Sequence, residues 1–401
     1  MGLMLFSCVE EFEAKTPSFD SILVIDATLT DELKTQEVKL GRTSPLENDT
    51  IVSEGGAQVS IVDDQGFNLA FNETDSGTYH SSTIFAAVAG RSYTLSIVTA
   101  DGKRYSSEAT MMPQAVDIGG IEAKRMTNGF DQEGVGIFLD AEAVNKDAFL
   151  RYEYDETYKI IAPRWEPFDF EVVHYIACDT IPYQVDRKLR EEEQRVCFGT
   201  ASSTRVIQAS TIDLEGTAVE GKEIRFVSRD NYIISHRYSI NVKQFTQTPE
   251  AYYFYNQLEA FSSSESIFSQ VQPGFLEGNV FSQTSANEQV LGYFEVAAVR
   301  TKRLYMNYAD LFPEEPLPPY PFGCGFIGNP PLYSEGYHCD GYLSCDGDCS
   351  SPLIEAILAD QITFGADNEE DPFYPFFTWP RGCGDCTLLG SNVVPEFWIE
   401  E

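Results

Sequence analysis

Cysteine is the residue type with the most chemistry to offer in this chain. Nine are present: Cys8 near the start, then Cys178, Cys197, Cys324, Cys339, Cys345, Cys349, Cys383 and Cys386. Cys383-Gly384-Asp385-Cys386 has the C-x-x-C spacing of half a zinc knuckle. Another such pair, or paired histidines, would have to complete a tetrahedral site. The histidines, at 80, 174, 236 and 338, are dispersed, and no second C-x-x-C exists. A thiol–disulfide oxidoreductase would carry the motif in a βαβ unit, and no such pattern surrounds it. An even set of eight late cysteines, most of them in Gly- and Pro-rich sequence, reads instead as the disulfides of an exported protein. The pairing of the six beyond residue 320 stays open. Cys178 and Cys197 flank the charged run Arg190 to Arg195, and a bridge between them would close that loop.

Other motifs carry less. Gly323-Cys324-Gly325-Phe326-Ile327-Gly328 matches G-x-G-x-x-G, but "PLPPYPF" precedes it and "NPPLY" follows. A dinucleotide site needs a buried strand before the glycines and a helix after them. Asp340, Asp346, Asp348 and the run Asp367 to Asp371 offer oxygen ligands without the twelve-residue loop and terminal Glu of an EF-hand. No cofactor is expected, and weak calcium binding by these acidic loops is the most they would support. G-x-S-x-G, H-E-x-x-H and S-x-x-K do not occur in a supporting context. Carboxylate pairs abound in so acidic a chain, so they do not by themselves indicate a glycosidase. The reading is a protein without catalytic residues.

Acidic residues outnumber basic ones 63 to 27, a formal charge of −36. Such a field repels phosphate backbones, so nucleic acid is excluded as a partner. The chain has 21 Tyr and 28 Phe among many Ser, Thr and Val, which favours strands. No segment is apolar for the ~20 residues that a membrane helix needs.

The elements that must position these residues are mostly short strands. The expected fold is mainly β: an N-terminal immunoglobulin-like β-sandwich over 21–113, then a larger β-rich domain over 114–311 with a helix near 248–262. A Cys-, Pro- and Gly-rich region over 312–401 would pack on that second domain. "RSYTLSIVTADGKRYSSEAT" is the clearest hairpin, with Tyr93, Leu95 and Ile97 on one face and Asp101-Gly102 as a type I′ turn. "FLRYEYDETYKIIAP" places Leu150, Tyr152, Tyr154, Tyr158 and Ile160 on one face. The period then changes in "TPEAYYFYNQLEAFSSS": Thr248 is the N-cap, Pro249 the first helical residue, and Phe254, Leu258 and Phe261 form a stripe. A short helix is predicted from Ser351, with Leu353, Ile354, Ile357 and Leu358 as its apolar face.

Residues 1–20 read as a signal-peptide remnant, a modified cysteine and a linker. Leu5-Phe6-Ser7-Cys8 resembles a lipobox, which is cut before a cysteine that then receives lipid. Lipidation of Cys8 also leaves the other cysteines even in number. Glu10, Glu11 and Glu13 resemble the surface-export signal that follows the lipidated cysteine in Bacteroidota lipoproteins.

The segments "LRYEYDETYKI", "RYSINVKQFTQTPEAYYFYNQLE", "GFLEGNVFSQTSANEQVLGYFEVAAV" and "CGDCTLLGSNVVPEFW" are similar, in combination, to the signatures of one family. It is the Bacteroidota outer-membrane lipoprotein family called domain of unknown function 4249. The resemblance spans nearly the whole chain and includes Cys383, Cys386, Gly390, Pro395 and Trp398. It implies a lipoprotein anchored in outer-membrane lipid and displayed at the cell surface. It also implies a non-enzymatic accessory to a SusC-like TonB-dependent transporter or another outer-membrane barrel. No catalytic residue comes with the family. Tyr320, Phe322, Tyr333, Phe376 and Trp379 are the candidate contact aromatics, with local packing beneath the loops as the competing reading. A stand-alone glycan- or peptide-binding lipoprotein is the alternative function, and a carboxylate-based hydrolase a more distant one.

Overall fold

The computed structural model describes residues 21–44, 52–142, 147–179, 181–212, 216–262, 276–325, 327–339 and 345–400. Cys8, Glu10, Glu11 and Glu13 lie outside the described residues. The protein is mainly β, with a few short helices.

The first strand, Leu23–Thr30, buries Leu23, Ile25, Ala27 and Leu29 by simple alternation. It pairs with Glu37–Arg42, and the hydrogen-bonded path runs on through Thr78–Ser81, Asn68–Asp75, Gln58–Asp63, Ser92–Val98 and Arg104–Ser107. Val38, Leu40, Val59, Ile61, Leu69, Tyr93, Leu95 and Ile97 share one core with the first strand. The turn after Val98 is not type I′. Gly102 is left-handed (φ 85°) and Asp101 is not, so only one of the two required positions is met. Gly102 N donates to Thr99 O and Thr99 N to Lys103 O, which makes a longer loop ending on a left-handed glycine.

This core is not closed by residues 21–113 alone. Val280–Ser282 pairs with Arg104–Ser107, and the first half of Val290–Asn307 runs parallel to Leu23–Thr30. Val280, Val290, Phe294, Val296 and Ala298 complete the core. Parallel neighbours require a long crossover, and here most of the second domain is that crossover. The closure is tight. A Cβ on Gly278 would lie 1.7 Å from Gly292 O, and one on Gly292, itself at φ 113°, would lie 1.9 Å from Ile25 O. Only glycine admits backbone so close.

The second core lies between the continuation of this sheet and a separate three-stranded one. One contains Val196–Ser202, Phe149–Ile161, Arg237–Gln247 and the second half of Val290–Asn307, and the other contains Asp117–Thr127, Glu133–Glu142 and Ala218–Ser228. Leu150, Tyr152, Tyr154, Tyr158 and Ile160 face Val135, Ile137, Leu139 and Ala141 across it. The chain crosses from the first core to the second between Met112 and Val116. The 18-residue strand Val290–Asn307 therefore belongs to both cores. Pro249–Ser262 is the expected helix, and Thr248 Oγ1 accepts the Ala251 N–H at 3.3 Å. Its buried side chains are Ala251 and Phe254, while Leu258 is exposed, so the packed face is narrower than the stripe predicts.

A third, smaller core joins two distant stretches. The hairpin Phe168–His174/Gln184–Leu189 packs Phe170 and Val185 against Leu353, Ile354, Phe364 and Phe376. Leu353 and Ile354 come from the helix Pro352–Leu358, where Ser351 Oγ accepts the Ile354 N–H. That helix stops at Leu358, which is exposed, because Asp360 turns left-handed (φ 58°) before the strand Ile362–Asp367.

Candidate functional site

The cysteines act as staples between stretches far apart in the chain. Cys178 bridges Cys349, Cys197 bridges Cys386, and Cys324 bridges Cys383. The expected Cys178–Cys197 bridge does not form. The hairpin 168–189 carries Cys178 into the third core, where Tyr183 Oη donates to Cys349 O at 2.7 Å. Cys197 lies on a strand of the second core, beside Cys386. The ladder places Cys339 opposite Cys345. Both cysteines of the C-x-x-C are thus in disulfides with different partners, and neither is a redox thiol. Among the described residues no group of three or more His, Cys, Asp or Glu side chains is disposed to hold a metal ion. No described helix is long and apolar enough to cross a membrane.

The five aromatics proposed for contact are packed rather than presented. Phe376 is buried in the third core with Phe170 and Phe364. Tyr333 stacks between Tyr183 and Tyr337. Tyr320 donates to Gly382 O at 3.0 Å and lies against the second core. Phe322 covers Gly382, and the Arg164 guanidinium sits over the half-buried Trp379 ring. None of the five is an exposed side chain, because the stapled loops need apolar filling of their own.

Two buried charge clusters escaped the sequence reading. Glu295, fully buried on the shared strand, accepts from Arg151 Nη2 at 2.8 Å, Gln247 Nε2 at 2.6 Å, Tyr255 Oη at 3.2 Å and Thr28 Oγ1 at 3.3 Å. The Arg151 guanidinium lies between the rings of Phe245 and Tyr255, at 4.1 and 4.6 Å. The cluster draws on the first strand, the second-domain sheet and the helix, so it locks the two cores together. Burial and the neighbouring Glu295 push the Tyr255 phenol far above its ordinary value. Glu156 is the second centre. It accepts from Tyr238 Oη at 2.6 Å and from Arg225 Nε and Nη2 at 3.2 Å. Glu156 stands in the same alternation as Tyr154 and Tyr158, so its charge at a core-facing position was the available signal. Asp63 and Asp385 are also buried, and they pair with Arg91 and Arg381. Each of these carboxylates is held by an arginine and by further donors. A buried charge is tolerated when it is paired and hydrogen-bonded in this way.

A cleft of about 770 Å³ with polar walls opens at one side of the second core. One wall is the strand Ala218–Ser228, here Lys222 to Phe226. The other is the segment Ser203 to Gln208, and Tyr252 and Asn256 of the helix close one end. The loop tip with Phe130, 88% exposed, stands at the rim. Lys222 and Arg205 line the cleft together with Glu223 and Glu259, and among the described residues neither cationic side chain is in a hydrogen bond or ion pair. Burial pulls the Lys222 ammonium below its ordinary value.

No curated protein matches the chain. The family match stops short of the stapled C-terminus, so the terminal C-x-x-C lies beyond it. A family model described as a domain of unknown function, DUF4249, matches residues 9–303, and the chain belongs to that family.

Proposed function

We propose that this protein is a non-enzymatic binding component displayed at the outer membrane, anchored by lipid on Cys8 and accessory to a SusC-like TonB-dependent transporter or another outer-membrane barrel. The observation that carries the reading is the arrangement of the bridges. Three disulfides tie residues 178, 197 and 324 to 349, 386 and 383, which suits an oxidising compartment and a rigid docking body. The pairing of every deeply buried carboxylate named above with arginine fits a binding role better than a hydrolytic one. Glu10, Glu11 and Glu13 supply the export signal in this reading. Two or three acyl chains at ~0.8 kcal/mol per buried CH₂ give a firm anchor.

The test is purification of the full-length protein from its native membrane in mild detergent. A stoichiometric barrel partner is the expected result, and a Cys8→Ala variant expressed without that partner is expected to leave the membrane fraction. A Cys8→Ala protein that still fractionates with outer membranes when overexpressed alone overturns the anchor. A lipidated monomer with no barrel overturns the accessory role and favours the stand-alone binder, a reading that the polar cleft already supports.

A further inference from the structure

A separate pocket of about 200 Å³ lies against the proline-rich stretch Leu317 to Tyr320. Ile160 and Ile161 reach it from the end of Phe149–Ile161, and Tyr232, Ser235 and His236 from the turn before Arg237–Gln247. Pro163, Leu317 and Pro318 add to the apolar wall. The proline-rich stretch is tied at both ends. Tyr308 Oη donates to Pro316 O at 3.0 Å, and Tyr320 Oη donates to Gly382 O at 3.0 Å, next to the bridged Cys383. Pro318 and Pro319 have fixed φ between those ties, so the pocket is preformed.

Most polar groups on the wall are already matched. Lys159 Nζ donates to Glu400 at 2.9 and 3.1 Å, which leaves its methylene stem to the pocket. The Tyr232 hydroxyl lies 3.5 Å from Tyr158 Oη, and that of Tyr320 is bonded to Gly382 O. Ser235 and His236 differ. Among the described residues neither the hydroxyl nor the imidazole is in a hydrogen bond or ion pair. Both also line an adjoining opening of about 420 Å³, so they stand where a ligand would enter. Above pH 6.5 the imidazole is neutral, with one donor nitrogen and one acceptor, and a serine hydroxyl has both capacities. The group that satisfies them is an uncharged hydroxyl, which gives one hydrogen bond and accepts another. An apolar cavity of ~150 Å³ takes up benzene, so this pocket has room for a single ring. Tyrosine rings and prolines on the wall favour a flat aromatic face over an alkyl chain.

We propose that this pocket binds a small, uncharged phenol, its ring among Ile160, Pro318 and the two tyrosine rings and its hydroxyl between Ser235 and His236. Burial of the ring supplies affinity, and the two hydrogen bonds supply the preference for a hydroxyl. A carboxylate or phosphate is disfavoured, because the Lys159 ammonium is already paired and the chain carries −36 overall. The inference rests on neither the lipid anchor nor a barrel partner.

The experiment titrates p-cresol into the folded full chain and follows it by ligand-observed NMR. A Kd near or below ~1 mM is expected, the range open to a ligand of so few atoms. Toluene, which lacks the hydroxyl, and benzoate, which is charged, should each bind about tenfold more weakly. Ser235→Ala and His236→Gln should each weaken p-cresol about fivefold. Leu317→Trp should block it, and Leu317 is exposed, so this variant keeps the test valid even if His236→Gln unfolds. The charged and titratable groups around His236 are Lys159, Arg237, Glu400 and the phenols of Tyr232, Tyr308 and Tyr320. Burial and the Lys159 charge hold the imidazole below its ordinary 6.5. Affinity should therefore fall as pH drops through that lower value, where the acceptor nitrogen is lost, and His236→Gln should remove this dependence. Four outcomes each overturn the proposal. One is p-cresol that fails to bind at millimolar concentration, or that binds Leu317→Trp and Ser235→Ala like the parent. Another is benzoate binding as tightly as p-cresol, which would make the site one for anions. The third is a pH profile that His236→Gln leaves unchanged. The fourth is N-acetyl-tyrosinamide binding about tenfold more tightly than p-cresol, which would make the ligand a peptide side chain.

Discussion

The Asn279 carboxamide exchanges two hydrogen bonds with the Phe294 backbone: Nδ2 donates to Phe294 O at 2.9 Å, and the Phe294 N–H donates to Oδ1 at 2.8 Å. A side chain here imitates the edge of a strand. It stands between Val280–Ser282, the last strand of the first core's path, and Val290–Asn307, the first, and so completes the circuit of strands. Asn279 Nδ2 also lies 3.2 Å from Thr110 Oγ1. Asn279→Ala leaves both Phe294 backbone groups unpaired and buried, at ~1–3 kcal/mol each. A loss of about 2–4 kcal/mol is expected in urea unfolding. A loss below ~1 kcal/mol would show that water replaces the carboxamide and that the closure is incidental.

Arg151 and Glu295 predict a non-additive pair. Removing the arginine alone strands a fully buried carboxylate, and Arg151→Met should cost about 3–5 kcal/mol. The double variant Arg151→Met/Glu295→Leu should be more stable than Arg151→Met, since no uncompensated charge remains. Denaturant melts of the two single variants and the double decide it. Additive losses would refute the assignment of the pair as one electrostatic unit.

Peptide mapping without reduction should recover Cys178–Cys349, Cys197–Cys386 and Cys324–Cys383, and no Cys178–Cys197 peptide. The Cys197–Cys386 bridge closes a separation of 189 residues, and in the chain-entropy account such a loop stabilises by roughly 5 kcal/mol. Cys197→Ala/Cys386→Ala should lose a comparable amount in guanidinium unfolding.

His236 gives a pH signature. Burial, with help from the Lys159 charge, holds its imidazole below the ordinary 6.5. The unfolded chain therefore takes up a proton more readily than the folded one. The stability contributed by neutral His236 is complete above pH 6.5 and is lost as pH falls through the lower folded value. His236→Gln should flatten the stability curve just below pH 6.5. The carboxylates Glu133, Glu288 and Glu400, held down by their cationic partners, should leave a second decline at lower pH untouched. An unchanged upper limb in the variant would assign that decline to other groups.

Alternation made the strands legible. Leu150 through Ile160 and Tyr93 through Ile97 bury the faces their spacing dictates. The Thr248–Pro249 start of the helix and the Ser351 cap were equally readable, since capping is a local matter. The crossing near Met112 was marked by Pro113 and the paired glycines that follow. What the sequence withheld was long-range. Nothing near Val290 announces that half its strand completes a sheet begun at Leu23, because parallel pairing leaves no turn to read. The bridging of Cys178 to Cys349 depended in the same way on a tertiary arrangement. The cleft was hidden because Arg205 and Lys222 are unremarkable singly, and their lack of partners is visible only in three dimensions. Nor could the exposure of Tyr320 or Trp379 be judged before the stapled loops had a shape.

The disulfide topology bears on how the protein is made. Cys178 and Cys197 are the first two of the stapling cysteines to emerge during synthesis, and neither native partner exists until the last fifty-odd residues arrive. An oxidase working in order of emergence joins these two to each other. For a chain oxidised as it leaves a membrane, maturation then requires thiol–disulfide exchange to undo that first bond. Yield in a heterologous host should follow its isomerase supply rather than its oxidising strength.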